Sequence, residues 1–245
     1  MGWLASAAMT RPPTRRRPPA AWVWQLATDQ PGTVHEVILE QLRSVILAGQ
    51  APPGAAINVD DVAERFVVSR IPVRESLKTL IGEGLVDHEP RAGYRVAQLT
   101  RTELGELYVV REALENAALS VAVANARPEH DADVDASYHA LTAAIGAHDA
   151  RGHHLQSRRF HLALASPCGM HRLLSMFEAA WNITEPQQPM SHVTAEMTAL
   201  LHDDHREMTE AFHARDSAAL LAASSLHYRR LQEVVAALPP AGLLI

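Results

Sequence analysis

Apolar residues set the punctuation of this chain. From Thr33, positions Val34, Val37, Ile38, Leu42, Val45 and Ile46 recur at three- and four-residue spacing, with Gln41 as one polar exception on the same face. Gly49 and the run Pro52-Pro53-Gly54 end that helix. A short second helix is predicted from Asn58 or Val59 to Phe66, with Asp60 and Asp61 near its N-terminus, where the helix dipole favours acids. Val67-Val68 forms a tight connection. Ser69 is then expected to cap a third helix running to about Glu83, with Glu75 in its early turns and Gly84 closing it. Leu85 to Glu89 and Tyr94 to Gln98 read as two short strands around the turn Pro90-Arg91-Ala92-Gly93. Helix, short helix, tight turn, capped helix, hairpin is the order of a winged helix-turn-helix.

Thr100 opens a different region. From about Thr102 to Ala237, Ala- and Leu-rich helical stretches alternate with polar breaks at Arg127-Pro128, Ser166-Pro167 to Gly169 and Glu185 to Pro189. Strand alternation is absent, and five to seven antiparallel helices are predicted. The expected fold is mainly α: a winged helix-turn-helix over residues 31–99, then an all-α antiparallel helical bundle over 100–238. Residues 1–30 are expected to be a disordered leader, because Thr10 to Ala21 holds four prolines and four arginines. Its apolar part precedes the arginines, the reverse of a secretory signal. Met9 is an alternative start to Met1, and 239–245 is expected to be a loose tail.

Composition narrows the function classes. Only 5% of residues are aromatic, so the core must be built from aliphatic side chains. One cysteine, Cys168, excludes an internal disulfide and a multi-cysteine zinc ribbon, and suits a packing role in a reducing cytoplasm. No apolar stretch is long enough to cross a bilayer, so no membrane partner is expected. The net charge of −6 is uneven: residues 31–99 carry seven basic and nine acidic groups, and residues 100–245 carry eleven and eighteen. Without a polycationic segment, any DNA binding must come from individually placed arginines. Twelve of the fourteen histidines lie after residue 100, which points to metal or proton chemistry there.

The arginines are in place. In Val68-Ser69-Arg70-Ile71-Pro72-Val73-Arg74-Glu75-Ser76-Leu77, Arg70 and Arg74 are four residues apart on one helical face. Bidentate pairing of arginine with guanine is the commonest specific base contact. Ser69 can touch phosphate from the cap position, Pro72 sits in the first turn where its missing N–H is harmless, and Val73, Leu77 and Leu80 face inward. This segment resembles the DNA-binding domain of the GntR family of bacterial regulators. The residues that carry the resemblance are Pro53-Gly54, Asp61-Val62-Ala63, Val68-Ser69-Arg70, Pro72-Val73-Arg74-Glu75, Leu80, Gly84-Leu85-Val86, Pro90-Arg91 and Gly93 to Val96. The resemblance implies that Arg70 and Arg74 contact bases or phosphates, that Ser69 and Arg65 touch the backbone, and that the Arg91–Gly93 turn enters the minor groove. One departure stands out. Many members carry Glu-Arg where this chain has Val59-Asp60, so that arginine's DNA contact is lost or replaced by helix capping.

The second region resembles the helical ligand-binding (FCD-type) domain of the FadR subfamily, in its shorter, VanR-like form. The resemblance rests on Leu107-Tyr108 with Arg111, Leu114-Glu115, Phe160-His161, His205-Arg206, Ala218 to Leu221 and His227. Relatives hold a divalent metal through one Asp and three His. The His positions match His161, His205 and His227, and the Asp position is Ser157. Zinc, nickel or manganese would suit such a set. Three readings stay open: the three histidines bind metal with water or an effector carboxylate filling the gap; His153 or His154 substitutes; or the metal is absent and the histidines bind an organic anion or pack. Arg111 either faces an effector carboxylate or pairs with Glu115 one turn on. Asn182 is a candidate polar pocket residue. In His202-Asp203-Asp204-His205, only His205 aligns with a ligand, and the others are expected to be solvated.

These features predict a homodimeric transcription regulator, a repressor rather than an enzyme. It would read an inverted-repeat operator in double-stranded DNA and respond to a small metabolite, a carboxylate, with Leu99-Thr100-Arg101-Thr102 as hinge. A metal-dependent enzyme on a helical bundle, or a DNA binder without ligand, are the other classes. Against the first stands the lack of His-Glu-x-x-His, a phosphate loop or a Gly-x-Ser-x-Gly elbow.

Overall fold

The computed structural model describes residues 18–189 and 193–238. The first unit runs α1 (Val34–Leu47), β1 (Ala56–Ile57), α2 (Val59–Phe66), α3 (Arg70–Gly82), β2 (Val86–Glu89) and β3 (Gly93–Val96). Thr33 caps α1 in a capping box with Glu36, and the Asn58 side chain caps α2. The predicted hairpin is present with shorter strands. β1, which the pattern did not show, adds a third strand in the order β1-β3-β2, pairing Ala56 with Arg95. Val73, Leu77 and Leu80 are fully buried against Ile38, Leu42 and Ile46 of α1. That packing turns the opposite face of α3 outward. Val67 closes the turn before α3 at φ 56, a left-handed conformation that a β-branched residue adopts only with strain.

The leader requires correction. Residues 18–30 are not loose: Ala21–Gln25 forms a 3₁₀ turn, and Trp22, Val23 and Leu26 enter the same core as α1 and α3. Gln41, the polar exception on the α1 face, accepts the Ala27 N–H at 2.9 Å. Residues 1–17 and the predicted tail at 239–245 lie outside the described residues.

Among the described residues the second unit has six α-helices: α4 (Arg101–Asn125), α5 (Pro128–Gly146), α6 (Ala150–Ala165), α7 (His171–Thr184), α8 (Ala195–His213) and α9 (Ser217–Ala237). Thr100 and Glu103 form a capping box at the start of α4. The long α4 packs on α9 and α7, α5 folds back on α6, and α8 lies on α9. One apolar cluster, with Leu119, Phe160, Met208 and Phe212, fills the far end, and another, with Leu104, Tyr108, Tyr228 and Leu231, fills the end near the linker. Cys168 is buried, as a packing residue should be. No described helix is long and apolar enough to cross a membrane.

The 3₁₀ turn Glu185–Gln187 joins the two units. The Gln187 side chain donates to the Ala97 carbonyl at 3.2 Å and accepts the Leu99 N–H at 3.4 Å. Glu185 is buried in this turn, and burial outweighs nearby Arg158 and Arg111 to push its carboxyl up to about 7. The unfolded chain releases that proton nearer the ordinary 4.5. Between those two values the folded chain binds more protons, so stability falls as pH rises through the window and the loss is complete above it. Glu185→Gln is expected to melt like the wild type near pH 4 and above it at pH 8, by up to about 3 kcal/mol. Parallel pH–melting curves for the two would show that the carboxylate is solvated.

Candidate functional site

Between the two apolar clusters of the bundle lies a polar centre. α6 contributes His161, α8 His205 and α9 His227, and all three are buried. One ring nitrogen from each lies within 4.8 Å of the others. His161 Nδ1 is 2.7 Å from Glu115 Oε1, which leaves His161 Nε2 buried and without a partner. Both His205 nitrogens and His227 Nδ1 are also buried without a hydrogen bond. Orphaned buried polar atoms are costly, and a cluster of them needs a reason. Burial pushes His205 well below its ordinary value and His227 down to about 4, and the neighbouring imidazoles add to this. At neutral pH these two rings are therefore uncharged, with lone pairs to offer.

Their outer partners are arranged as metal-binding histidines require. Glu115 is fully buried, and its other oxygen accepts from Tyr228 Oη at 2.5 Å. Burial would raise this carboxyl, but His161, Tyr228 and Arg111 together hold it below the ordinary value. Asp204 is buried rather than solvated, contrary to the sequence expectation: it pairs with Arg230 and lies 3.5 Å from His227 Nδ1. His202 is not fully solvated either, since it stacks on Tyr138 and reaches Thr142 Oγ1 at 3.1 Å. The residues present fit a divalent metal: three converging imidazole nitrogens, two of the rings backed by carboxylates.

A small cavity borders this centre, lined by Tyr108, Arg111, His153, His154, Ser157, Trp181, His205 and His227. It measures about 10 Å³, the space of about one water. Ser157 reaches the cavity wall, so the position that would carry the fourth protein ligand presents a hydroxyl. His153 and His154 also reach it, and burial pushes them down to about 4 and about 3. Neither belongs to the cluster of converging ligand atoms. Asn182 lies elsewhere: its Oδ1 accepts from Arg158 at 2.7 Å, and it does not line the cavity.

Arg111 is 1% exposed. Its guanidinium lies 3.2 Å from the Trp181 ring centre and 4.6 Å from that of Tyr108, and Nη1 donates to Thr184 Oγ1 at 3.4 Å. Glu115 turns to His161 and Tyr228 instead, so the i, i+4 ion pair is not formed. Among the described residues no carboxylate pairs with Arg111, and its Nε is unpartnered. A buried cation whose direct contacts are π faces and one hydroxyl, with Glu115 and Glu185 acting on it only at longer range, can take an anion at its free edge.

The second candidate surface lies on the first unit. A concave face between α3 and the β2–β3 turn is lined by Asp60, Arg70, Ile71, Arg74, Lys78, His88, Arg91, Gly93 and Tyr94. Ser69 is the N-cap of α3 by position, yet its hydroxyl makes no capping bond. Pro72 is in the first turn, and its carbonyl accepts from Ser76 Oγ. Arg74 is exposed and has no protein partner among the described residues. Arg91 sits at the turn with φ 74 and Gly93 follows at φ 89, so both hold left-handed backbone at the wing tip. Arg65 is not on this face. Its Nη2 donates to the Leu26 carbonyl at 2.6 Å and its guanidinium lies against Trp24, so it ties down the N-terminal segment. The sequence reading missed the partner of Arg70: Asp60 Oδ2 accepts from Arg70 Nη2 at 3.0 Å while Asp60 Oδ1 faces Arg70 Nε.

Each of the two units matches a known protein family. Residues 35–96 match the family model "Bacterial regulatory proteins, gntR family", and residues 106–230 match the FCD domain. The chain is 31% identical over 186 residues to the HTH-type transcriptional repressor GlaR of Escherichia coli, covering 72% of this chain and 84% of the relative. It is 28% identical to a probable D-xylose utilization operon transcriptional repressor of Paenarthrobacter nicotinovorans, over 75% and 80% of the two chains. The structure of E. coli McbR/YncC superposes with a TM-score of 0.73 at 21% identity, over 84% of this chain and 98% of that one, and shares its fold.

Proposed function

From the premise that this chain belongs to the GntR family of DNA-binding bacterial transcription regulators and carries an FCD domain, we propose that it is a homodimeric repressor released or engaged by a small carboxylate. The observation that carries the reading is a buried Arg111 with no directly paired carboxylate, on the same cavity wall as His205 and His227, whose ring nitrogens converge with one of His161. His161, His205 and His227 would hold a divalent metal, which supplies a local positive charge and open coordination positions when bound. Ser157 leaves the protein's contribution neutral at the fourth position. An effector carboxylate then has an electrostatic reason to bind between the histidine centre and the Arg111 fork. The cavity is too small for a metabolite as it stands, so binding must displace part of its wall.

Thr184 joins that wall to the reader. Arg111 donates to Thr184, and the next three residues carry Gln187 to the carbonyl of Ala97 and the N–H of Leu99. An anion that draws Arg111 away from Thr184 would move this turn and with it the hinge at Leu99–Thr102. Such an effector shifts DNA affinity only through a difference in binding between the two arrangements. A dimer that reads an inverted repeat is supported by an uncovered apolar ridge on α4, where Val109, Ala113, Ala117 and Val121 are exposed at four-residue spacing.

The test is a panel of small mono-, di- and hydroxycarboxylates against the zinc-loaded chain. Melting temperature and affinity for a duplex selected from a randomised library would be read together. Members of the panel are expected to raise the melting point and change DNA affinity. Arg111→Met should lose both responses, while Gln187→Ala keeps the first and loses the second. A response to neutral sugars but to no carboxylate would overturn the effector class.

A further inference from the structure

Arg70 is the first residue of α3, on the face that the family membership assigns to DNA, and it is 62% exposed. An arginine at that position is free to sample many rotamers, yet here it is held. Asp60, at the second position of α2, spans its guanidinium along one edge, with one oxygen to Nε and the other to Nη2. Both partners are substantially exposed, so the pair contributes little to stability. It also places an anion in a groove that must accept phosphates, which costs DNA affinity. Helix capping does not account for Asp60. The Asn58 side chain caps α2, accepting the Asp60 N–H at 2.9 Å, and the Asp60 carboxylate points across to α3.

The guanidinium has two edges able to make paired hydrogen bonds. Asp60 occupies the Nε–Nη2 edge, which leaves the terminal Nη1–Nη2 edge directed outward. That terminal edge offers two parallel N–H groups, the pattern that guanine O6 and N7 accept in the major groove. A free arginine would divide itself between phosphates, which carry no sequence information, and bases, which do. Anchored by a carboxylate at its side, it keeps a fixed plane and is drawn away from the backbone. We propose that Asp60 is a specificity-determining residue: it positions Arg70 so that the arginine reads a guanine rather than wandering to phosphate, trading total DNA affinity for discrimination. This rests on the DNA-reading role of α3 and adds to it a residue that itself touches no base.

The experiment is selection from a duplex library with a 20-base-pair random core, using full-length wild type, Asp60→Ala, Asp60→Asn, Arg70→Ala and Asp60→Ala/Arg70→Ala. Bound duplexes are sequenced, and affinity for an unselected random duplex is measured at one fixed salt concentration. The wild type is expected to enrich a guanine at one symmetric position of each half-site. Asp60→Ala should lower that enrichment about tenfold or more, the discrimination a bidentate contact provides, while its affinity for unselected duplex stays equal or rises. Asp60→Asn, which keeps one acceptor and loses the charge, should fall between. In the Arg70→Ala background, Asp60→Ala should change the motif no further. Undiminished guanine enrichment by Asp60→Ala, or a change at positions that Arg70→Ala leaves intact, would overturn the proposal. A wild type that enriches no motif would instead overturn the DNA-reading role of α3, and the two failures are distinct. A thermal melt of each variant separates loss of discrimination from loss of fold, since an Asp60 acting only on α2 would lower the melting point with the motif unchanged.

Discussion

Arg74→Ala is expected to weaken binding to a selected operator duplex by about 10²- to 10⁴-fold, because each half of a dimer would lose a contact worth roughly 1–3 kcal/mol. Unlike Arg70, Arg74 has no partner among the described residues to restrain it or to be stranded by its removal. Its side chain is exposed on the outward face of α3, one residue after the fully buried Val73 and three before the fully buried Leu77. Truncation there leaves the α1–α3 core intact, so the melting point should hold within about 0.5 kcal/mol, the usual range for a surface substitution. Affinity is best measured by anisotropy across a salt series. If Arg74 contacts bases, the loss appears on the operator and much less on unselected duplex, with little change in salt slope. If it contacts phosphate, both duplexes weaken alike and the slope falls by about one per contact. A loss under threefold on the operator would remove Arg74 from the interface.

How far the sequence led depended on what marks each feature. The reader was legible because its signals are local: Thr33 and Asn58 cap, Gly84 stops, and Val73, Leu77 and Leu80 keep helical spacing. Two interhelical breaks of the bundle were not legible. α5 ends at Gly146 and α8 at His213, and the left-handed residues that turn the chain, His148 and Arg215 (φ 53 and 58), are not glycines. Asp149 and Asp216, which cap the next helices, and Gly146 at the end of α5 were the local marks. The N-terminal correction has the same character. Three apolar residues just after a proline- and arginine-rich stretch were read with it as disorder, and what orders them is tertiary: Arg65 on Leu26 and Gln41 on Ala27. At the histidine centre, the three histidine positions followed from resemblance, but their backing did not. Asp204 looked like one of a run of charged surface residues, and Glu115 looked like a partner for Arg111. Only packing shows that both carboxylates turn to the histidines, because the choice between i, i+4 partners and partners on other helices lies in three dimensions.

That backing is what makes zinc loading a strong test. Zinc at a thousandfold excess over its dissociation constant is expected to stabilise the chain by about 4 kcal/mol, which for a protein of this size raises the melting point by roughly 8–16 °C. Elemental analysis should then find one zinc per chain. His205→Ala should abolish the rise. Without metal it should melt below the wild type, because His205 is buried against Phe160, His161 and His227 and its truncation leaves a cavity, so the zinc-induced rise rather than the absolute melting point is compared. Glu115→Gln separates the role of the outer carboxylate. It removes the charge and turns one of the two acceptor oxygens into an NH2, so His161 Nδ1 and Tyr228 Oη can no longer both be accepted, while all three imidazoles stay in place, and it should weaken zinc binding about 10- to 100-fold. The rise would then appear only at proportionately higher zinc. Equal responses of Glu115→Gln and wild type would mean that the Glu115–His161 pair serves packing alone. No rise in the wild type would remove the metal, leaving Arg111 to hold the effector anion with the buried imidazoles as direct partners. The three histidines would then have to satisfy their orphaned nitrogens on the effector itself, and the same carboxylate panel would shift the metal-free chain.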